Sequence, residues 1–342
     1  MKKTYYSFLL IIFLFMIPAI CFPDNKTHKW KYVVKSKHYV VHSDMSKEFT
    51  EEAAKMAEAA FTAASTLLNR TNRDPRFIKT IQYNFPKKAK FLKEEEGTKI
   101  YEMPGGVTIE EWWLFITRYT IKMPDGRTFE FYDASREGKK VNIYLYNTQD
   151  EYKKNDPLNE LGIRSGAGGW NPAYGEISFG LIEGRGYMNL NILIHEITHQ
   201  VIDYITFIQP VWLDEGLAEF AGVNDAGVYS PGLIRYDRLM RCYNAILTGK
   251  FVPLKKLLTM DYEKFNAKDK EAVDLHYGES WALVNFLVLS KHPQIKGRFP
   301  KYFTELRMGN DPIKSFKKYY DVNLVEKELI NAIIKTATTP VH

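Results

Sequence analysis

Two histidines and a glutamate stand together in HEITHQVIDY, residues 195–204. On an α-helix, residues four apart lie nearly one above the other, offset by about 40°. His195 and His199 can therefore aim imidazole nitrogens at one ion. Glu196, about 100° round from His195, cannot easily join them but reaches a water on that ion. A metal held by three protein ligands keeps a fourth position for water, lowers the pKa of that water and polarises a carbonyl. The neighbouring glutamate then takes the proton of the water and hands it to a leaving amine. Five residues thus carry two ligands and a base. A helix that merely packs two histidines is the bland alternative, and such a match arises by chance in on the order of one chain in a hundred.

A third ligand is needed, and WLDEGLAEF, residues 212–220, offers one in Glu215. Its other reading is a solvated carboxylate at a helix start, favoured by the dipole. Trp212, Leu213, Leu217 and Phe220 surround it with apolar bulk, so the turn is expected to be buried, and buried carboxylates need partners. Glu219, one turn on, would share the face of Glu215 and accept a hydrogen bond from a ligand histidine. Asp214 reads as a helix cap or a local orienter.

These side chains need elements to place them. YVVKSKHYVVHSD alternates as a strand, and residues 46–68 form a long amphipathic helix with Met56, Ala60, Ala63, Ala64 and Leu67 on one face. Residues 75–140 are an aromatic, irregular insert, within which RYTIKM and RTFEFYD form a hairpin turning at Pro124-Asp125-Gly126; Trp112 and Trp113 pack it on the core. VNIYLY, residues 141–146, reads as a buried strand. RSGAGGWNPAYGEISFG reads as a flexible glycine-rich loop entering the strand EISFGL, since it lacks the spacing and the Lys-Ser/Thr of a phosphate loop. Gly184 and Gly186 close a turn before the histidine helix, and helical spacing recurs at 234–248, 276–290 and 325–336. The fold class is α+β, with a strand-rich subdomain over 30–188 and a helical subdomain over 189–342.

The bulk numbers agree with this. A chain of 342 residues with 45% apolar and 14% aromatic side chains can bury a large core. Residues 1–21 read as a secretory signal peptide: a short basic start, the apolar run FLLIIFLFMIPAI, too short for a comfortable span, and a cleavage site near Ala19-Ile20-Cys21. A lipid anchor on Cys21 is the alternative, disfavoured by Ile20 where a small residue is expected. The formal charge of +6 includes Lys2 and Lys3, and the remainder is spread over both signs, with no basic stripe or motif for nucleic acid. With Cys242 alone left after cleavage, no intrachain disulfide can form. An exported or cell-envelope protein without a membrane span in its mature chain is the expectation. His38 and His42, four apart near a strand, lack an acidic or Cys partner in a metal-site pattern and read as surface or packing residues.

HEITH followed by WLDEGLAEF resembles the gluzincin metallopeptidases, in which two motif histidines and a downstream glutamate bind zinc. The likeness extends to a bacterial domain of unknown function within that clan. It takes in YVVHSD with the long helix, VNIYLYNTQDEY, the entry to EISFGL, PLKKLLTM and YGESWALVNFL. The insert at 75–140 fits least. The resemblance implies a zincin-like fold with a mixed twisted sheet, an edge strand beside the cleft and a mostly helical C-terminal portion. It implies one zinc per chain on His195, His199 and Glu215, with Glu196 as general base and acid. It further implies an oxyanion donor from HYGESW, with Tyr277 preferred over His276 at a helix start; a packing aromatic is the competing reading. An extended peptide substrate would lie antiparallel along EISFGL. A catalytically silent zinc protein on the same fold, or a zinc amidase acting on cell-wall peptides, are the other functions this pattern would serve.

Overall fold

The computed structural model describes residues 28–69, 87–95, 97–113, 117–132, 140–155, 168–171, 175–184, 189–205, 210–222, 232, 234–266 and 269–339. The expected signal peptide, Cys21 and Gly186 lie outside them.

Five strands form the sheet beneath the histidine helix. β1 (Tyr32–Lys35) pairs antiparallel with β2 (Tyr39–Ser43); β2 runs parallel to β8 (Val141–Tyr146) and β8 parallel to β10 (Glu176–Gly180); β9 (Gly168–Asn171) closes the far side antiparallel to β10. Alternation sends Tyr39, Val41, Val141, Ile143, Leu145, Ile177 and Phe179 into one core. Here the structure corrects the sequence reading. EISFGL is an interior strand paired on both sides, and among the described residues the edges of the sheet are β1 and β9, the latter the GGWN stretch read above as loop. Two glycines without alternation hide a strand from periodicity, while the hairpin is made possible by Gly175 at a φ of 61°.

Helix α1 (Lys47–Asn69) opens on Ser46, whose hydroxyl accepts from the Phe49 N–H at 3.1 Å. Its buried Ala53, Ala57, Ala60 and Ala64 let it lie close beside α3 (Leu190–Ile205), the histidine helix. His38, just before β2, is bound to Glu58 of α1 (Nδ1 to Oε2, 2.6 Å), so it has the acidic partner the sequence did not reveal and ties strand to helix. A short α2 (Gln149–Asn155) follows β8.

The insert is regular. β3 (Lys90–Glu95), β4 (Thr98–Met103), β5 (Val107–Trp113), β6 (Thr117–Lys122) and β7 (Thr128–Tyr132) form an antiparallel meander with its own small core of Met103, Val107, Ile109 and Ile121. The β6–β7 hairpin turns at Pro124-Asp125-Gly126 as expected, with Gly126 at φ 85° and the Met123 N–H donating to the Arg127 carbonyl.

After the sheet the chain is helical: α4 (Val211–Phe220), α5 (Tyr236–Leu247), α6 (Leu254–Leu257), α7 (Tyr262–Phe265), α8 (Lys270–Leu289), α9 (Phe299–Arg307), α10 (Pro312–Tyr319) and α11 (Val322–Thr338). The polar first turns of α8 conceal its start at Lys270, so Tyr277 stands two turns into a helix and not at its beginning. Trp212 of α4 stacks on Tyr302 and meets Phe316 edge-on, and the C-terminal helices thereby cap α4. Among the described residues no helix is long and apolar enough to cross a membrane.

Glu279 of α8 is fully buried, and one of its oxygens accepts from the Val252 N–H at 2.8 Å. Burial pushes its carboxyl up to about 8 from 4.5. The folded state holds this proton more tightly than the unfolded chain, so the stability it contributes is complete below pH 4.5 and is lost as pH rises through about 8. Glu279→Gln, which keeps an acceptor for Val252 and cannot ionise, should flatten that decline. Urea unfolding at pH 9 should then show it more stable than wild type by on the order of 2 kcal/mol or more, with the two alike at pH 5.

Candidate metal centre

Helix α3 is apolar on most of its surface: Leu190, Leu193, Ile194, Ile197, Val201 and Ile202 are all buried. It packs between the sheet, α1 and α4. His195 and His199 emerge from the side that faces α4, where Glu215 meets them. The three donor atoms form a small triangle: 3.0 Å between the two Nε2 atoms, and 3.4 and 3.5 Å from them to Glu215 Oε2.

Each histidine has a carboxylate behind it. His199 Nδ1 lies 2.9 Å from Asp214 Oδ1. A carboxylate oxygen accepts from the Nδ1–H, which leaves Nε2 turned into the triangle. His195 Nδ1 lies 3.6 Å from Glu219 Oε1, the same arrangement at a looser distance. Asp214 therefore orients His199; it does not cap α4, whose N-cap is Pro210. Glu219 is clamped by Arg238, with Nε–Oε2 and Nη2–Oε1 both 3.0 Å, and approached by Arg235 at 3.2 Å.

The triangle is built of groups that could hold a cation. Two imidazole nitrogens and a carboxylate oxygen converge within 4.8 Å of one another, and Glu215 Oε2 is a buried oxygen without a hydrogen-bond partner. Burial opposes charge on all three groups, yet charge wins. The two imidazoles hold the Glu215 carboxyl well below the usual carboxylate range. Asp214 and Glu215 hold His199 well above 6.5, and Glu215 does the same more weakly for His195. Protons therefore compete with a metal for the same lone pairs, and metal uptake releases protons and strengthens as pH rises above 6.5. These three residues could hold a metal ion.

Around the triangle stand the other residues expected from sequence. Glu196 is buried, and its Oε2 accepts from the backbone N–H of Trp170 on β9 at 2.6 Å. Tyr277 tilts its ring toward His195, with centroids 6.4 Å apart, and Arg238 lies 5.7 Å over the same ring. Burial first, then the nearby Glu215, keeps the Tyr277 hydroxyl protonated far above its ordinary range. His276 turns away: its Nδ1 meets the Phe265 carbonyl at 2.8 Å within the helical core. Sequence reasoning missed Trp170 and Arg238. The first sat in a stretch taken for loop, and nothing in α5 signalled that Arg238 would reach Glu219.

Helix α4 keeps two carboxylates in the core because its apolar residues outweigh them. Four large side chains, Trp212, Leu213, Leu217 and Phe220, contribute about 1.5–3 kcal/mol each on burial. Partners on α3 and α5 offset the cost of desolvating the acids. No protein-family model and no curated protein matches the chain.

Gly216 sets how close Glu215 comes to the histidines. A Cβ there would lie 2.5 Å from the Ser280 carbonyl oxygen and 2.7 Å from Val284 Cγ2, so α4 and α8 touch backbone to backbone. Gly216→Ala should push α4 off α8 and cost about 1–3 kcal/mol of stability. It should also weaken metal retention by about tenfold or more, read by competition with a chelating dye.

Proposed function

We propose that this protein is a zinc-dependent metallopeptidase acting outside the cytoplasm on peptide bonds. The observation that carries the reading is the His195–His199–Glu215 triangle with an ionisable Glu196 buried beside it. Ligands of tetrahedral zinc at about 2.0–2.1 Å stand about 3.3–3.4 Å apart, and the donor spacings of 3.0, 3.4 and 3.5 Å match one face of that tetrahedron. The donor set, two imidazoles and one carboxylate, leaves a fourth position open. When bound, zinc polarises the scissile carbonyl and makes water a nucleophile at neutral pH.

The remaining work falls to the chain. Glu196 accepts the proton of the attacking water and passes it to the departing amine. The Trp170 amide fixes one of its oxygens, so the carboxylate needs no reorganisation as the proton moves. Tyr277, kept neutral by its surroundings, donates its hydroxyl to the oxygen that gains charge in the tetrahedral intermediate. A purely structural metal site has no use for a base at the position of Glu196. That residue is what favours hydrolysis over a silent zinc scaffold.

Wild type and Glu196→Gln should each hold about one zinc per chain by metal analysis, with peptide hydrolysis reduced at least about 10³-fold in the variant. Glu215→Ala should lose the metal. Protein purified without chelators that neither holds nor takes up zinc would sink the site. Zinc in both forms with no cleavage of a mixed peptide library would favour the scaffold. Tyr277→Phe should lower kcat about 10²-fold while zinc content stays unchanged, as measured on the same preparations.

A further inference from the structure

Strand β9 is fastened to α3 at three points. At Gly168 a Cβ would lie 2.9 Å from Ile192 Cγ2 and 2.5 Å from Phe179 Cβ, so the strand backbone presses on the helix with no room for a side chain. The Trp170 backbone N–H donates to Glu196 Oε2 at 2.6 Å, and the Trp170 indole N–H donates to Asp203 Oδ2. Ile192, Glu196 and Asp203 follow one another at four and seven residues, which places them within about 40° on one face of the helix. The hairpin dictates which strand groups reach that face. The Asn171 carbonyl accepts from Gly175 N–H at 2.9 Å, on the β10 side, so alternation turns the Trp170 amide the opposite way, onto α3.

We infer that Asp203 is a positioning residue for Glu196, acting through Trp170. The two attachments of Trp170 are coupled by a single residue: the indole bond to Asp203 fixes the strand, and the strand presents the amide that orients the Glu196 carboxylate. Without Asp203 the strand keeps its ladder with β10 but loses one of its three attachments to the helix, and the donor to Glu196 is held less tightly. A displacement of about 1 Å at a reacting group costs on the order of 10²-fold in rate. Asp203 is not one of the three donor residues and lies on the helix face turned to β9, so its effect belongs in kcat and not in metal retention. The inference rests on the hydrolytic role proposed for Glu196.

The test uses the full zinc-loaded chain and an internally quenched peptide selected from a mixed library on wild type. Asp203→Ala should lower kcat about 10- to 100-fold, with KM and zinc content unchanged. Asp203→Asn, whose side-chain oxygen still accepts from the indole, should remain within about threefold of wild type. Trp170→Phe keeps the backbone amide and removes the indole donor, so it should match Asp203→Ala, and the double variant should be no worse than either single one. Hydrogen exchange supplies a readout independent of turnover: amides of 168–171 should exchange about tenfold faster in Asp203→Ala and not in Asp203→Asn. Full kcat with unchanged exchange in Asp203→Ala overturns the inference, as does a rise in KM alone, or Asp203→Asn falling as far as Asp203→Ala. If wild type binds zinc yet cleaves nothing, the peptidase reading fails, while the exchange experiment still decides the attachment of β9.

Discussion

Ionisable groups can be buried in an apolar helix only if each is answered by a partner on a neighbouring element, and that requirement organises the molecule around α3. Glu196 is answered by an amide of β9, His199 by Asp214 and His195 by Glu219, while Glu219 is answered in turn by Arg238 and Arg235. The succession runs outward until it reaches Asp237, which is largely in solvent and bound by Arg235. What remains in the middle is a set of two nitrogens and one oxygen turned toward one another, a group that could hold a metal ion. The outer pairs hold the two rings so that both Nε2 atoms face Glu215.

Packing converts that electrostatic demand into a distance. Helices α4 and α8 approach until glycine is the largest residue tolerated at position 216, and Trp212 is held between Tyr302 and Phe316 on the far side. A helix wedged on both flanks has little freedom to slide, so Glu215 is presented at a defined separation from the histidines. The same wedge brings Tyr277, on the inner face of α8, to the opposite rim of the site.

The parts of this arrangement that were legible in sequence are those written in one element at a time. The four-residue spacing of His195 and His199, the apolar surroundings of Glu215 and Met56, Ala60 and Ala64 on one face of α1 are local patterns, and the structure places them as the patterns imply, with Ala63 half-buried and the Leu67 side chain outside what is described. What periodicity could not see were features made by two distant segments. Strand β9 is short, carries two glycines and gains its identity from pairing with β10. The strands of the insert are defined by antiparallel pairing with one another, which no single segment announces, so the insert read as irregular. His38–Glu58 joins two residues that look like ordinary surface residues in isolation, and Arg238, unlike its partner Glu219, carries no local signal of its role.

The two sheets also treat their free margins differently. Every residue of β3 is exposed, and its KFLKEE sequence lines the margin of the insert with lysine and glutamate, breaking register near Phe91. Charges and a bulge of this kind discourage a passing chain from adding itself to a sheet. At β9 the margin is GGWN, uncharged and nearly without side chains where it begins. One border of the protein is thus fenced with charge, whereas another carries none and runs beside Glu196, to which it gives its Trp170 amide.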